Sequence, residues 1–125
     1  MQLSHLSEVI LYAEDMNAQV HFYRDVLGLR VTHPDGVQDF SGEYWVTFDT
    51  GACTLALHGG GQKRLGQDAP KIVFFTNDLL ASRALLESRG VAIGAPRSPA
   101  PGIGVCDARD PEGNPFSIES RGLSG

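Results

Sequence analysis

Two βαβββ modules, paired into a single α+β domain over residues 1–125, are the fold this sequence predicts, and two observations predict it. The first is a helix frame that occurs twice. Asp15 to Gly28 and Asp78 to Gly90 each begin with a carboxylate able to cap unpaired backbone N–H groups, and each stops at a glycine. The second is what flanks each frame, one apolar strand before it and three strands after it. A sheet carrying one helix leaves its other face uncovered, so two copies are expected to pair. Two curled sheets paired in this way would enclose a cleft, the usual seat of a small ligand.

Taken in order, Glu8 to Ala13 (EVILYA) reads as the first strand. In Asp15 to Arg30, Met16, Val20, Tyr23 and Leu27 recur at helical spacing, with Phe22 and Val26 widening the apolar face, so a single helix is expected. Leu29 to His33 gives the next strand, and Asp35 to Glu43, with its Asp-Gly and Ser-Gly pairs, reads as a connection. Tyr44 to Asp49 and Ala52 to His58 follow as strands around a tight turn at Asp49, Thr50 and Gly51. Module 1 thus takes about residues 1–58, and Gly59 to Pro70 is the linker. A phosphate-cradling role for its glycines fails on context, because a strand follows them instead of a helix N-terminus. Module 2, about residues 71–121, repeats the order: strand Lys71 to Thr76, helix to Gly90, strand Val91 to Ile93, then Ile103 to Ala108 and Asn114 to Glu119 around the turn Asp110 to Gly113.

Ten Lys and Arg against fifteen Asp and Glu give a formal charge of −5, with no long run of one sign. That balance excludes the basic footprint that nucleic acid or an anionic membrane surface demands. The first residues lack a cationic region, a long apolar core and a cleavage site, so a soluble cytoplasmic protein is expected. Cys53 and Cys106 lie in apolar runs and read as buried thiols. No spacing sets a base against a nucleophile, and no catalytic residue is assigned.

FYRDVLGL at Phe22 to Leu29, DPEGNPFSIE at Asp110 to Glu119, and the repeat itself resemble the vicinal oxygen chelate superfamily. That superfamily includes glyoxalase I, bleomycin-resistance proteins, fosfomycin-resistance enzymes and extradiol dioxygenases. In its metal-using members the resemblance implies a divalent ion held by four cleft side chains, commonly His, Glu or Gln. Seven residues before Asp15 the corresponding position is Glu8, and seven before Asp78 it is Lys71. Seven after Asp110 it is Ser117, and on the fourth strand it is Ala56 or Leu55. Glu8 is able to ligate. A protonated lysine has no acceptor, a neutral hydroxyl is a poor ligand for a hard cation, and Ala56 has no donor atom.

These substitutions lead to the expectation of a protein without the standard metal centre and with no cofactor, binding a small organic molecule in the cleft. Glu8, Lys71, Ala56 and Ser117 line the expected site, with Lys71 supplying positive charge and pairing with Glu8. Trp45 or Phe40 is expected against a flat ligand, and His58, two residues from Ala56, joins the set. The alternative is a divalent-metal-dependent lyase, isomerase or dioxygenase with a displaced site that uses His58 and Glu8. His21 is expected to point outward, and His5 and His33 carry no constellation. A homodimer is expected from the resemblance.

Overall fold

The structure, a computed structural model, describes residues 6–60, 66–67 and 70–121. His5 and most of the expected linker, residues 61–65 and 68–69, lie outside the described residues. The chain divides into two compact units, Met1–Leu65 and Gly66–Gly125.

Unit 1 runs β1 (Glu8–Tyr12), α1 (Met16–Val20), a π-helical continuation (His21–Val26), β2 (Arg30–His33), β3 (Trp45–Asp49) and β4 (Thr54–His58). Its sheet has the order β1-β4-β3-β2, with β1 parallel to β4 and the other pairs antiparallel. Unit 2 runs β5 (Ile72–Phe75), α2 (Leu79–Ser88), β6 (Arg97–Ala100), β7 (Ile103–Arg109) and β8 (Pro115–Arg121). Its sheet has the order β5-β8-β7-β6, with the first strand again parallel to the last. Both units are therefore βαβββ, as the repeat predicts.

The helix starts follow from the two aspartates. Asp15 Oδ1 accepts the Ala18 N–H at 3.0 Å and Asp78 Oδ1 accepts the Ala81 N–H at 3.1 Å, each satisfying a donor the helix cannot. The stops follow from Gly28 and Gly90, whose φ values of 82° and 88° are open to glycine at no steric cost. Between Asp15 and Gly28 the expected single α-helix is instead α for one stretch and π for the next. The Leu27 N–H reaches back five residues to Phe22 O at 2.9 Å, which widens the turn and lets Phe22, Tyr23 and Val26 all be buried. Tyr23 packs on Phe48 of β3 with ring centroids 6.0 Å apart. The helix-side face of the sheet supplies Leu11, Val46, Phe48, Leu55 and Leu57, all nearly inaccessible to solvent.

In unit 2, α2 lies on β7 and β8 and buries Leu79 and Leu86. Phe116, Ile118 and Cys106 form the strand side of that layer. The strand expected at Val91 to Ile93 is displaced: the chain there joins no ladder, and the pairing strand is β6 at Arg97–Ala100. Val91 and Ile93 are buried, so their alternation reports burial and not pairing. The DPEG turn is held by Asp110, whose Oδ1 accepts the Glu112 and Asn114 N–H groups at 2.9 Å each and whose Oδ2 accepts Asn114 Nδ2 at 2.8 Å. Such a carboxylate turn sets the register in which β7 meets β8, Asp107 opposite Ser117.

Candidate functional site

Strand alternation sends one set of side chains to the helix and the other to the opposite face of each sheet. On that open face in unit 2, β5 carries Val73 and Phe75, with Lys71 in line just before the strand, β8 carries Ser117, Glu119 and Arg121, and β7 carries Asp107. Ser117 is paired with Val73 on one side and with Asp107 on the other. Four side chains converge there. Lys71 Nζ donates to Asp107 Oδ1 at 2.8 Å, and Arg97 donates from Nε to Oδ2 at 2.6 Å and from Nη2 to Oδ1 at 3.1 Å. Ser117 Oγ completes the set by donating to Oδ1 at 2.6 Å. Arg97 first, then Lys71 and Ser117, hold the Asp107 carboxyl well below the usual carboxylate range. Two cations share one anion, so the cluster carries a net positive charge. Beyond it, Val73, Phe75, Glu119 and Arg121 line a groove of about 510 Å³, in which Arg121 Nε donates to Glu119 Oε2 at 3.2 Å.

In unit 1 the open face gathers aromatic rings around His58. The imidazole lies 5.5 Å from the Tyr12 ring, 5.1 Å from Tyr44 and 5.5 Å from Trp45, centroid to centroid. Its place follows from register, since β4 holds His58 opposite Tyr12 of β1 and Trp45 of β3. His58 Nδ1 accepts the Gly60 N–H at 2.8 Å. A backbone N–H can only donate, so Nδ1 is bare and the neutral ring carries its proton on Nε2. A Cβ at Gly60 would overlap the Tyr44 hydroxyl, so the exposed Tyr44 ring keeps this position against His58 only beside a glycine and would otherwise have to shift.

The residues expected at the site are distributed as follows. Glu8 opens β1 opposite Thr54 and is exposed. Ala56 lies on β4 opposite Thr47 and is fully buried, and Trp45 and His58 are half-buried in the aromatic group. Lys71 is half-exposed and Ser117 buried, and both are drawn to Asp107. The carboxylate that holds Lys71 is thus Asp107 of its own unit. Phe40 is buried, with the Arg24 guanidinium 5.6 Å from its ring centre, and Arg109 donates to Gly113 O at 2.6 Å across the turn. His21 projects outward and pairs with Asp25 at 2.9 Å. Burial pushes the Cys106 thiol up, away from the reactive thiolate. Asp107 and Arg97 escaped the sequence reading. The signal for Asp107 is a lone carboxylate at an alternating position in the apolar strand VCDAR; Arg97 gives none before β6 is located.

Among the described residues, no three His, Cys, Asp or Glu side chains gather as a metal-binding group, and no helix is long and apolar enough to cross a membrane.

Comparison with known proteins gives a consistent picture. No curated protein matches by sequence. Among solved structures, one from the mobile metagenome of V. Pseudocholerae is 27% identical, with TM-score 0.72 over 100% of this chain and 98% of the other. The antibiotic-binding protein TnmS3 from Streptomyces sp. CB03234 shares 22% identity and a TM-score of 0.74, over 97% of this chain and 98% of its own. Lactoylglutathione lyase from Agrobacterium tumefaciens shares 23% identity and a TM-score of 0.73, over 100% and 99% of the two chains. The latter two likenesses are of fold. A family model for the Glyoxalase/Bleomycin resistance protein/Dioxygenase superfamily matches residues 2–118, and with both units folded as βαβββ the chain belongs to that superfamily.

Proposed function

We propose that the protein binds a small organic molecule on the open sheet faces and does not use the metal chemistry of its superfamily. The observation that supports this reading is the commitment of Lys71 and Ser117. Both stand where metal-using relatives carry ligands, and both donate a hydrogen bond to Asp107. An ammonium repels a cation, a hydroxyl engaged as a donor is a weak ligand, and Ala56 offers no donor atom. The residues present do not fit a divalent ion. Trp45, Tyr12 and Tyr44 offer ring faces to an apolar ligand, in keeping with pockets that are mostly apolar with few polar groups. The fold shared with an antibiotic-binding protein is compatible with this role.

Metal analysis of untagged protein, paired with titration of hydrophobic ligands followed by Trp45 fluorescence, tests the proposal. The expected result is a metal-free protein whose fluorescence responds to ligand. Stoichiometric metal lost on replacing His58 or Glu8 would overturn it in favour of a lyase, isomerase or dioxygenase with a displaced site. For His58 to ligate through Nε2, that nitrogen must lose its proton, and the neutral ring would then carry it on Nδ1 and give up the Gly60 bond. The same proposal has the protein acting in the cytoplasm as a homodimer, so light scattering is expected to read twice the 13.4 kDa chain mass.

A further inference from the structure

We propose that the open face of unit 2 is an anion-selective subsite, in which Arg97 and Lys71, organised by Asp107 and Ser117, take the carboxylate of a ligand whose apolar body lies on Val73 and Phe75. The inference rests on the small-molecule reading above and adds the charge and shape of the ligand.

Three features carry it. The first is donor arithmetic. Lys71 uses one of three N–H groups on Asp107, and Arg97 bonds it through Nε and Nη2, which leaves Nη1 with both of its protons. The second is orientation. Asp107 receives four hydrogen bonds, three on Oδ1 and one on Oδ2, two of them from the Arg97 fork, so both cations are tethered to the same carboxylate. A carboxylate meeting this cluster finds a net positive charge, two cations against one anion. The third is continuity with apolar surface. Ser117, a member of the cluster, lies opposite Val73, and Phe75 follows on the same face, 67% exposed. An exposed phenylalanine and valine beside a cationic cluster match an amphipathic anion better than either feature matches water. Glu119, the other carboxylate on this face, is paired with Arg121, which offsets its repulsion of an anion. Inorganic phosphate shares the charge but has no apolar body, so an organic anion with a hydrophobic body, represented by an aryl carboxylate, is the class the groove fits.

The test uses three probes of one shape, 1-naphthoate, 1-naphthamide and 1-naphthylmethylammonium, titrated into the whole protein by calorimetry or by amide shift perturbation. Naphthoate is expected to bind about tenfold more tightly than naphthamide, and the ammonium weakest of the three, with the preference shrinking as salt is raised. Arg97→Gln and Lys71→Gln each reduce the local charge to zero and are expected to abolish the preference for naphthoate over naphthamide. Both side chains are half-exposed, so a cooperative thermal melt lowered by no more than the loss of one surface ion pair verifies folding. Phe75→Ser is expected to weaken all three probes alike. Equal binding of naphthoate and naphthamide, or a preference unaffected by Arg97→Gln, would overturn the subsite and leave ligand binding standing. Failure of all three probes to bind would overturn both.

Discussion

Replacing Asp107 with asparagine removes the one negative charge between Arg97 and Lys71, and the pH at which this matters follows from the sign of the shift. A carboxyl held below its unfolded value of about 3.9 contributes stability that is complete above that value and lost as pH falls through its folded value. Asp107→Asn is therefore expected to be less stable than wild type at pH 7, with the gap closing as the pH drops below about 4, read by urea unfolding across pH. The partners are half-exposed, which keeps the effect under about 1 kcal/mol. Asp110 is the opposite case. It is buried and serves three N–H donors of the turn, so Asp110→Ala strands those donors and is expected to cost about 2 kcal/mol or more in the same assay. The sequence shows both aspartates equally well, and only the second is readable there, because its partners are two and four residues away. The partners of Asp107 are brought to it by strand register, which local sequence does not specify.

Among the elements, the helix of unit 1 shows where a periodic pattern stops being informative. Met16, Val20, Tyr23 and Leu27, widened by Phe22 and Val26, describe the buried face correctly, but the same pattern does not show that the second half of the helix is π instead of α. The termini were more legible than the interior, since a capping carboxylate and a left-handed glycine are each local devices. Gly28→Ala tests the second. Nothing lies within 4 Å of the added Cβ, so the penalty is conformational alone, about 1 kcal/mol from φ of +82°. Chemical denaturation reads it directly. Asp78→Ala, which removes the acceptor for the Ala81 N–H, is expected to cost about the same. The displaced strand of unit 2 has a related cause. Val91 and Ile93 alternate like a strand because they are buried, whereas Arg97–Ala100 pairs with β7 while carrying Pro99 and mostly exposed side chains.

At the scale of the whole molecule, the repeat made the architecture legible, and the count from each capping aspartate located Glu8 and Lys71. That count gave positions and not partners, so the clustering of Lys71, Arg97 and Ser117 on Asp107 became visible only with the strands paired. Titration of Zn²⁺, Ni²⁺ or Mn²⁺ is a molecule-wide check on the donor chemistry. An ion bound specifically to the folded chain raises stability by about 2.7 kcal/mol at a hundredfold excess over its dissociation constant, and no such rise in melting temperature is expected.

The parallel pairing of the first strand with the last in each unit has a consequence for biogenesis. Glu8 meets Thr54 and Ile72 meets Phe116, so β1 and β5 are made first and find their partners last. The closure spans are nearly equal, and the entropy of closing them grows only slowly with length, so the two units face similar delays. During translation EVILY and IVFF each wait unpaired, apolar and rich in β-branched residues, until their own β4 or β8 emerges. Glu8 and Lys71, at the heads of these two segments, then place a charge beside each apolar stretch before the sheets close.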